Sequence, residues 1–116
     1  MGHPRGETKL VVSMNGYYTA IMLSDIFYIE VYKRIITIHH KDGNTDTYAH
    51  LSEAEGALDA FGFIRAHRAY LVAVDAIRNL SATSITLVNG EEVAVGKKYY
   101  AAVKEAFLNS GIRLGK

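Results

Sequence analysis

Cysteine is absent from this 116-residue chain, so it has no disulfide, no thiolate nucleophile and no cysteine-based metal site. No apolar run approaches the roughly 18 residues that a membrane-spanning helix requires. Met1-Gly2-His3-Pro4-Arg5-Gly6 lacks the apolar centre of a secretion signal. Charge of one sign is scarce in the sum, since 13 Lys and Arg against 12 Asp and Glu leave a net charge of +1. There is no nucleophile elbow, phosphate loop, metal-binding helix motif or dinucleotide fingerprint. Ser24-Asp25 and Ser52-Glu53 are ordinary cap and turn pairs, and no carboxylate cluster near His67 could hold magnesium for a nuclease. These absences argue against an enzyme, a membrane protein and a disulfide scaffold, and a cytoplasmic location is expected.

What remains is a chain with 49% hydrophobic residues, long enough to bury a core of its own. It is expected to be a single domain over residues 8–116 behind a flexible lead-in at residues 1–7. The charge is unevenly spread. Between Lys41 and Ala60 stand Asp42, Asp46, Glu53, Glu55 and Asp59 against Lys41 alone. Between Gly96 and Lys116 stand Lys97, Lys98, Lys104, Arg113 and Lys116 against Glu105 alone. A small net charge therefore still permits a one-sided positive surface.

Short runs rich in β-branched and aromatic residues alternate with turn signals. Asn15-Gly16 separates Lys9–Met14 from Tyr17–Leu23, a strong hairpin pattern. Ile26–Tyr32 and Ile35–His40 meet at Lys33-Arg34; Asp42-Gly43-Asn44 leads to Thr45–Ala49; Asn89-Gly90 separates Ser84–Val88 from Glu92–Val95. This spacing predicts an all-β scaffold. Two helices interrupt it. Ser52-Glu53-Ala54-Glu55 has the form of a capping box opening a helix to about Ala60. A second helix is predicted from about Lys97 to Asn109, with Gly111 as its C-terminal cap and Tyr100, Val103 and Phe107 on one face. The eight tyrosines suit half-buried strands.

The most informative segment is Phe63-Ile64-Arg65-Ala66-His67-Arg68-Ala69-Tyr70-Leu71-Val72. A core strand has no reason to carry Arg65, His67 and Arg68, because burying charge is costly unless it is paired. The segment reads as an apolar frame presenting basic side chains to something anionic. It also resembles the signature of the LytTR DNA-binding domain family, the output domain of bacterial response regulators. Asp25-Ile26-Phe27-Tyr28-Ile29-Glu30 is similar to a strand of that family. So are Leu51 with the short acidic helix and Phe61–Arg65, and Asn89–Val95 with Gly96-Lys97-Lys98-Tyr99. The four blocks occur in order and span about Lys9 to Phe107.

The resemblance implies a compact, multi-stranded β-sandwich with one short middle helix and one C-terminal helix. It implies sequence-specific binding of double-stranded DNA in transcriptional regulation, by loops inserted into successive major grooves, with bending of the duplex. Direct-repeat sites, dimerisation on DNA, and a receiver or sensor domain elsewhere in the regulator belong to the same expectation; the present chain has no room for such a domain. No cofactor, membrane or small-molecule substrate is implied. The candidate DNA-binding residues are Lys33, Arg34, Arg65, His67, Arg68, Lys97 and Lys98.

Each candidate has a plainer reading. Lys33-Arg34 is a charged turn of the kind that is usually just solvated. Strand alternation places Arg65 and His67 on one face and Arg68 on the other, unless the strand breaks near His67. Arg65 could instead pair with Glu30 or with an acidic residue of the first helix. Lys97 and Lys98 at a helix start oppose the helix dipole by roughly 0.3–1 kcal/mol each, an arrangement that an incoming phosphate would relieve. By resemblance Lys97 stands where the family has an arginine, Gly96 where it has a serine, and Ala73 where it has an asparagine. His39 and His40 are adjacent on a strand and face opposite ways, so a zinc site with His50 and His67 is disfavoured. Two further classes compete: a protein-interaction module on the same scaffold with weakened base readout, and a single-strand binder stacking bases on tyrosines.

Overall fold

A computed structural model describes residues 8–115. The expected flexible lead-in at residues 1–7 lies outside that range, as does Lys116. Ten strands and two helices follow one another. They are β1 (Lys9–Met14), β2 (Tyr17–Met22), β3 (Ile26–Tyr32), β4 (Ile35–His40), β5 (Gly43–Tyr48), α1 (Leu51–Leu58), β6 (Phe63–His67), β7 (Tyr70–Ala73), β8 (Ile77–Leu80), β9 (Ser84–Leu87), β10 (Glu92–Ala94) and α2 (Tyr100–Leu108). The strands form three antiparallel sheets, ordered β1-β2, β5-β4-β3-β7-β6 and β10-β9-β8.

The turns do what their residues dictate. Asn15 and Gly16 both take positive φ, 53° and 86°, in a two-residue turn of the right hand for a twisted hairpin. The core collects the apolar positions of the five-stranded sheet. Ile29, Ile38, Leu71 and Val72 have no exposed surface, and neither do Ile85, Leu87 and Val103 from the neighbouring elements. Each such side chain contributes on the order of 1.5–3 kcal/mol relative to exposure. Helix α1 seats Leu51 and Leu58 in this core, and α2 seats Val103 with Tyr100 and Phe107 beside it.

Several boundaries differ from the sequence pattern for local reasons. Helix α1 starts earlier than the Ser52 box implies. His50 is its N-cap, its N–H donating to the Glu53 carboxylate at 3.0 Å, because Leu51 enters the core and draws the helix start with it. Helix α2 starts at Tyr100, not Lys97. Tyr99 N–H donates to the Gly96 carbonyl at 2.9 Å, so Lys97 and Lys98 occupy the turn ahead of the helix. Asn109 caps its far end, and Gly111 is not left-handed. Strands β7 and β8 carry neither strict alternation nor a glycine-bearing turn, so neither stands out as a separate strand in the sequence.

Candidate nucleic-acid interface

Register fixes where the basic loops lie. Strand β7 runs antiparallel to β3, with Tyr70 opposite Glu30, and Val31 N–H donates to the Ala69 carbonyl at 3.0 Å. The Arg68-Ala69 turn between β6 and β7 therefore sits at the same end of the sheet as the Lys33-Arg34 turn between β3 and β4. With strands about 4.8 Å apart, the two turns lie about 10 Å from each other. The third loop joins this end through β6. Gly96 N–H donates to the Ala66 carbonyl at 2.7 Å, which brings Lys97 and Lys98 alongside the last turn of β6. Lys33, Arg34, Arg68, Lys97 and Lys98 are all exposed. Three loops distant in sequence thus bring five cations to one end of the molecule.

A bulge sorts the middle set. Arg65 pairs with Leu71 and His67 with Tyr70, leaving Ala66 as the extra, fully buried residue. One inserted residue reverses the alternation that follows it. Arg65 consequently faces α1 and His67 the opposite side, so simple alternation fails here through the break near His67 that the expectation had set apart. All three nitrogens of the Arg65 guanidinium are engaged within the fold. Its Nη1 reaches Glu55 Oε1 at 2.7 Å, its Nε donates to the His67 carbonyl at 2.9 Å, and its Nη2 donates to the Arg68 carbonyl at 2.6 Å. His67 Nδ1 accepts from the Ala69 N–H at 3.0 Å, and its ring lies 5.2 Å from that of Tyr70. Both side chains brace the turn that presents Arg68.

Glu30, the other candidate partner for Arg65, lies on the far face and hydrogen-bonds His39, whose ring stacks on Tyr28 at 4.1 Å. Burial, and then the charges of Glu91 and Glu30, hold the Tyr28 phenol protonated well beyond the ordinary tyrosine range. His40 bonds Thr45. Among the described residues no three metal-ligating side chains gather at one point.

The cationic loops are themselves shaped. Lys33 holds a positive φ of 58°, which few residues other than glycine adopt, while Arg34 after it does not. Its ammonium lies 5.5 Å from the centre of the Tyr32 ring, and that of Lys98 lies 5.1 Å from the Tyr99 ring. Gly96 lets the Tyr99 ring lie close: a Cβ there would stand 2.9 Å from Tyr99 Cδ2, so a larger residue requires the ring to shift. The Gly96–Tyr99 contact is local to the loop, whereas the Ala66 bulge depends on β6 and β7 becoming neighbours.

The profile of the LytTr DNA-binding domain family matches residues 17–108. The chain belongs to that family. Among solved structures it is similar to the LytTr DNA-binding domain of a protein described as a methyl-accepting/DNA response regulator from Bacillus cereus. That match has a TM-score of 0.75 at 21% identity, covering 89% of this chain and 99% of the other, and it supports the shared fold. No curated protein matches the sequence. Among the described residues of this LytTr domain, no helix is long and apolar enough to cross a membrane.

Proposed function

We propose that residues 8–116 form a domain that binds double-stranded DNA sequence-specifically, in the cytoplasm, as part of transcriptional control. The observation that carries the reading is the gathering of Lys33, Arg34, Arg68, Lys97 and Lys98 at one end of the sheet from three separate loops. Membership of the LytTr family supplies the partner. Arg68 enters the groove from the tip of the β6–β7 turn. Lys33 and Arg34 approach on one side of it, Lys97 and Lys98 on the other. Arg65 and His67 position this set from inside the fold.

The loops span about 20 Å across the sheet end, taking four strand spacings. Successive major grooves recur every 34–36 Å or so. Insertion into two of them favours a duplex bent toward the protein, and bending adds preference at steps that no side chain touches. Lys97 contacts a base edge as a point charge, without the fork by which arginine grips guanine. Two copies occupying direct repeats follow from the same family reading.

The test is selection of duplexes from a random pool, followed by titration of the winning sequence against salt. An enriched repeated motif is expected, with a logarithmic salt slope that falls by about 0.9 for each phosphate-contacting cation removed. A pool without enrichment contradicts base readout and points to a protein partner for this face.

A further inference from the structure

Strand β2 is an outer strand, since no described strand pairs with it other than β1. Natural sheets usually blunt such an edge with lysine, proline or a bulge. Tyr17-Tyr18-Thr19-Ala20-Ile21-Met22 contains none of these: it is uncharged, lacks proline and pairs with β1 in unbroken register. Its first four residues are all exposed, with Tyr17 at 76% and Tyr18 at 83%.

The two-residue turn at Asn15-Gly16 determines which backbone groups are spent. Met14 pairs with Tyr17, Val12 with Thr19 and Leu10 with Ile21, and in a two-residue hairpin the pair flanking the turn exchanges both hydrogen bonds. These pairs therefore use the inward groups. The N–H and C=O groups of Tyr18, Ala20 and Met22 point away from β1. Such a row is a template for another strand.

We propose that the occupant is a second copy of this chain, adding its β2 antiparallel to the first with Ala20 on the two-fold axis. The sequence is self-complementary in that register. Ala20 meets Ala20 of the other copy at the centre. Tyr18 meets Met22, a favourable sulfur–aromatic pairing. No like charges face each other. The side chains of Tyr18, Ala20 and Met22 share a face with Val11, which lies opposite Ala20 and is 60% exposed. Joined in this way, the two hairpins become one four-stranded sheet with Val11 and Ala20 of both copies in a continuous apolar row. The interface is closed and isologous, so it ends at two copies. One strand pair buries less than the roughly 1,200 Å² of a stable complex, so the dimer belongs to the transient class. It leaves the basic end of the molecule free, and because a two-fold pair turns its copies opposite ways, it is an assembly off DNA and not the arrangement on direct repeats.

The absence of cysteine makes a direct test available. In a hydrogen-bonded antiparallel pair the Cα atoms are about 5.5 Å apart, within disulfide range. Ala20→Cys is expected to crosslink to a dimer under mild oxidation. Tyr18→Cys and Thr19→Cys, whose like positions lie off the axis, are expected to remain monomeric under the same conditions. Sedimentation of the reduced wild-type chain should show a concentration-dependent dimer, and Ala20→Lys should weaken it at least roughly tenfold by placing two ammonium groups side by side. Circular dichroism and the melting transition confirm that each variant is folded. Equal crosslinking at all three positions, a wild-type dimer indifferent to Ala20→Lys, or a wild-type monomer at millimolar concentration would each overturn the proposal. If the dimer persists in Ala20→Lys, another face of the chain carries it.

Discussion

Removing the Arg65 side chain should damage the DNA-reaching turn without removing a DNA contact. Arg65 is mostly buried, its side chain 18% exposed against 41% for Glu55, so the ion pair is partly screened and is worth at most about 1 kcal/mol. The donations from Arg65 to the His67 and Arg68 carbonyls are charge-assisted, but those carbonyls lie near the surface and return to water when the donor is lost. Together these give a cost of about 2 kcal/mol for Arg65→Ala, after discounting each bond for that rehydration. For a domain of this size the loss corresponds to a fall in Tm of roughly 6–12 °C. Arg65→Lys is the sharper probe. It keeps the charge but cannot bridge three acceptors at once. Its affinity for a selected duplex should fall about tenfold through the loosened turn, an estimate from the loss of about 1.4 kcal/mol. Its salt slope should stay that of the wild type. Anisotropy titrations at several salt concentrations, beside a thermal melt, measure both. An Arg65→Ala melt like that of the wild type refutes the bracing role, and a salt slope that falls by about 0.9, as expected for Arg68→Ala, refutes it by placing Arg65 on phosphate.

Two further outcomes follow from other parts of the molecule. Unfolded tyrosine titrates near pH 10, whereas Tyr28 in the fold holds its proton well above that, through burial first and then Glu91 and Glu30. Its raised value contributes stability that is complete below pH 10 or so and is lost as pH rises further, so Tyr28→Phe should make the alkaline decline shallower by up to about 1.4 kcal/mol per pH unit. Urea titrations between pH 8 and 11 measure this, and an unchanged slope sinks it. Lys33→Gly removes a left-handed lysine that costs about 1–3 kcal/mol but adds glycine's chain entropy of about 0.5–1 kcal/mol, so stability should rise by no more than about 2.5 kcal/mol. DNA affinity should fall nonetheless, with a shallower salt slope; a variant that binds like the wild type removes Lys33 from the interface.

Strand existence was legible wherever alternation met a glycine or asparagine turn, as at Asn15-Gly16 and Asn89-Gly90. There the local chain chooses its own conformation, and β1 matches the expected span residue for residue, as do β3 and β4 around the charged Lys33-Arg34 turn. The helix starts were not. Ser52 carries a favourable local signal, but the burial of Leu51, a tertiary event, moves that boundary; at Lys97 the Gly96–Tyr99 turn ahead of the helix moves it. The basic residues were found from charge that a core strand would not tolerate. Their division into presented and bracing side chains was hidden, because it turns on one bulged residue, Ala66, and on Glu55 lying within reach of β6. Arg65 and Arg68 look alike in the sequence. In the fold one points at a helix and the other at solvent.

Whether this end of the sheet meets DNA can be read residue by residue from amide chemical shifts during a duplex titration. Perturbations are expected to concentrate at Lys33, Arg34, Arg68, Ala69, Lys97 and Lys98, while the opposite end at Asp42-Gly43-Asn44 stays fixed. Shifts centred on Asp42-Gly43-Asn44 or on the β1–β2 hairpin, with the three basic loops silent, would contradict it.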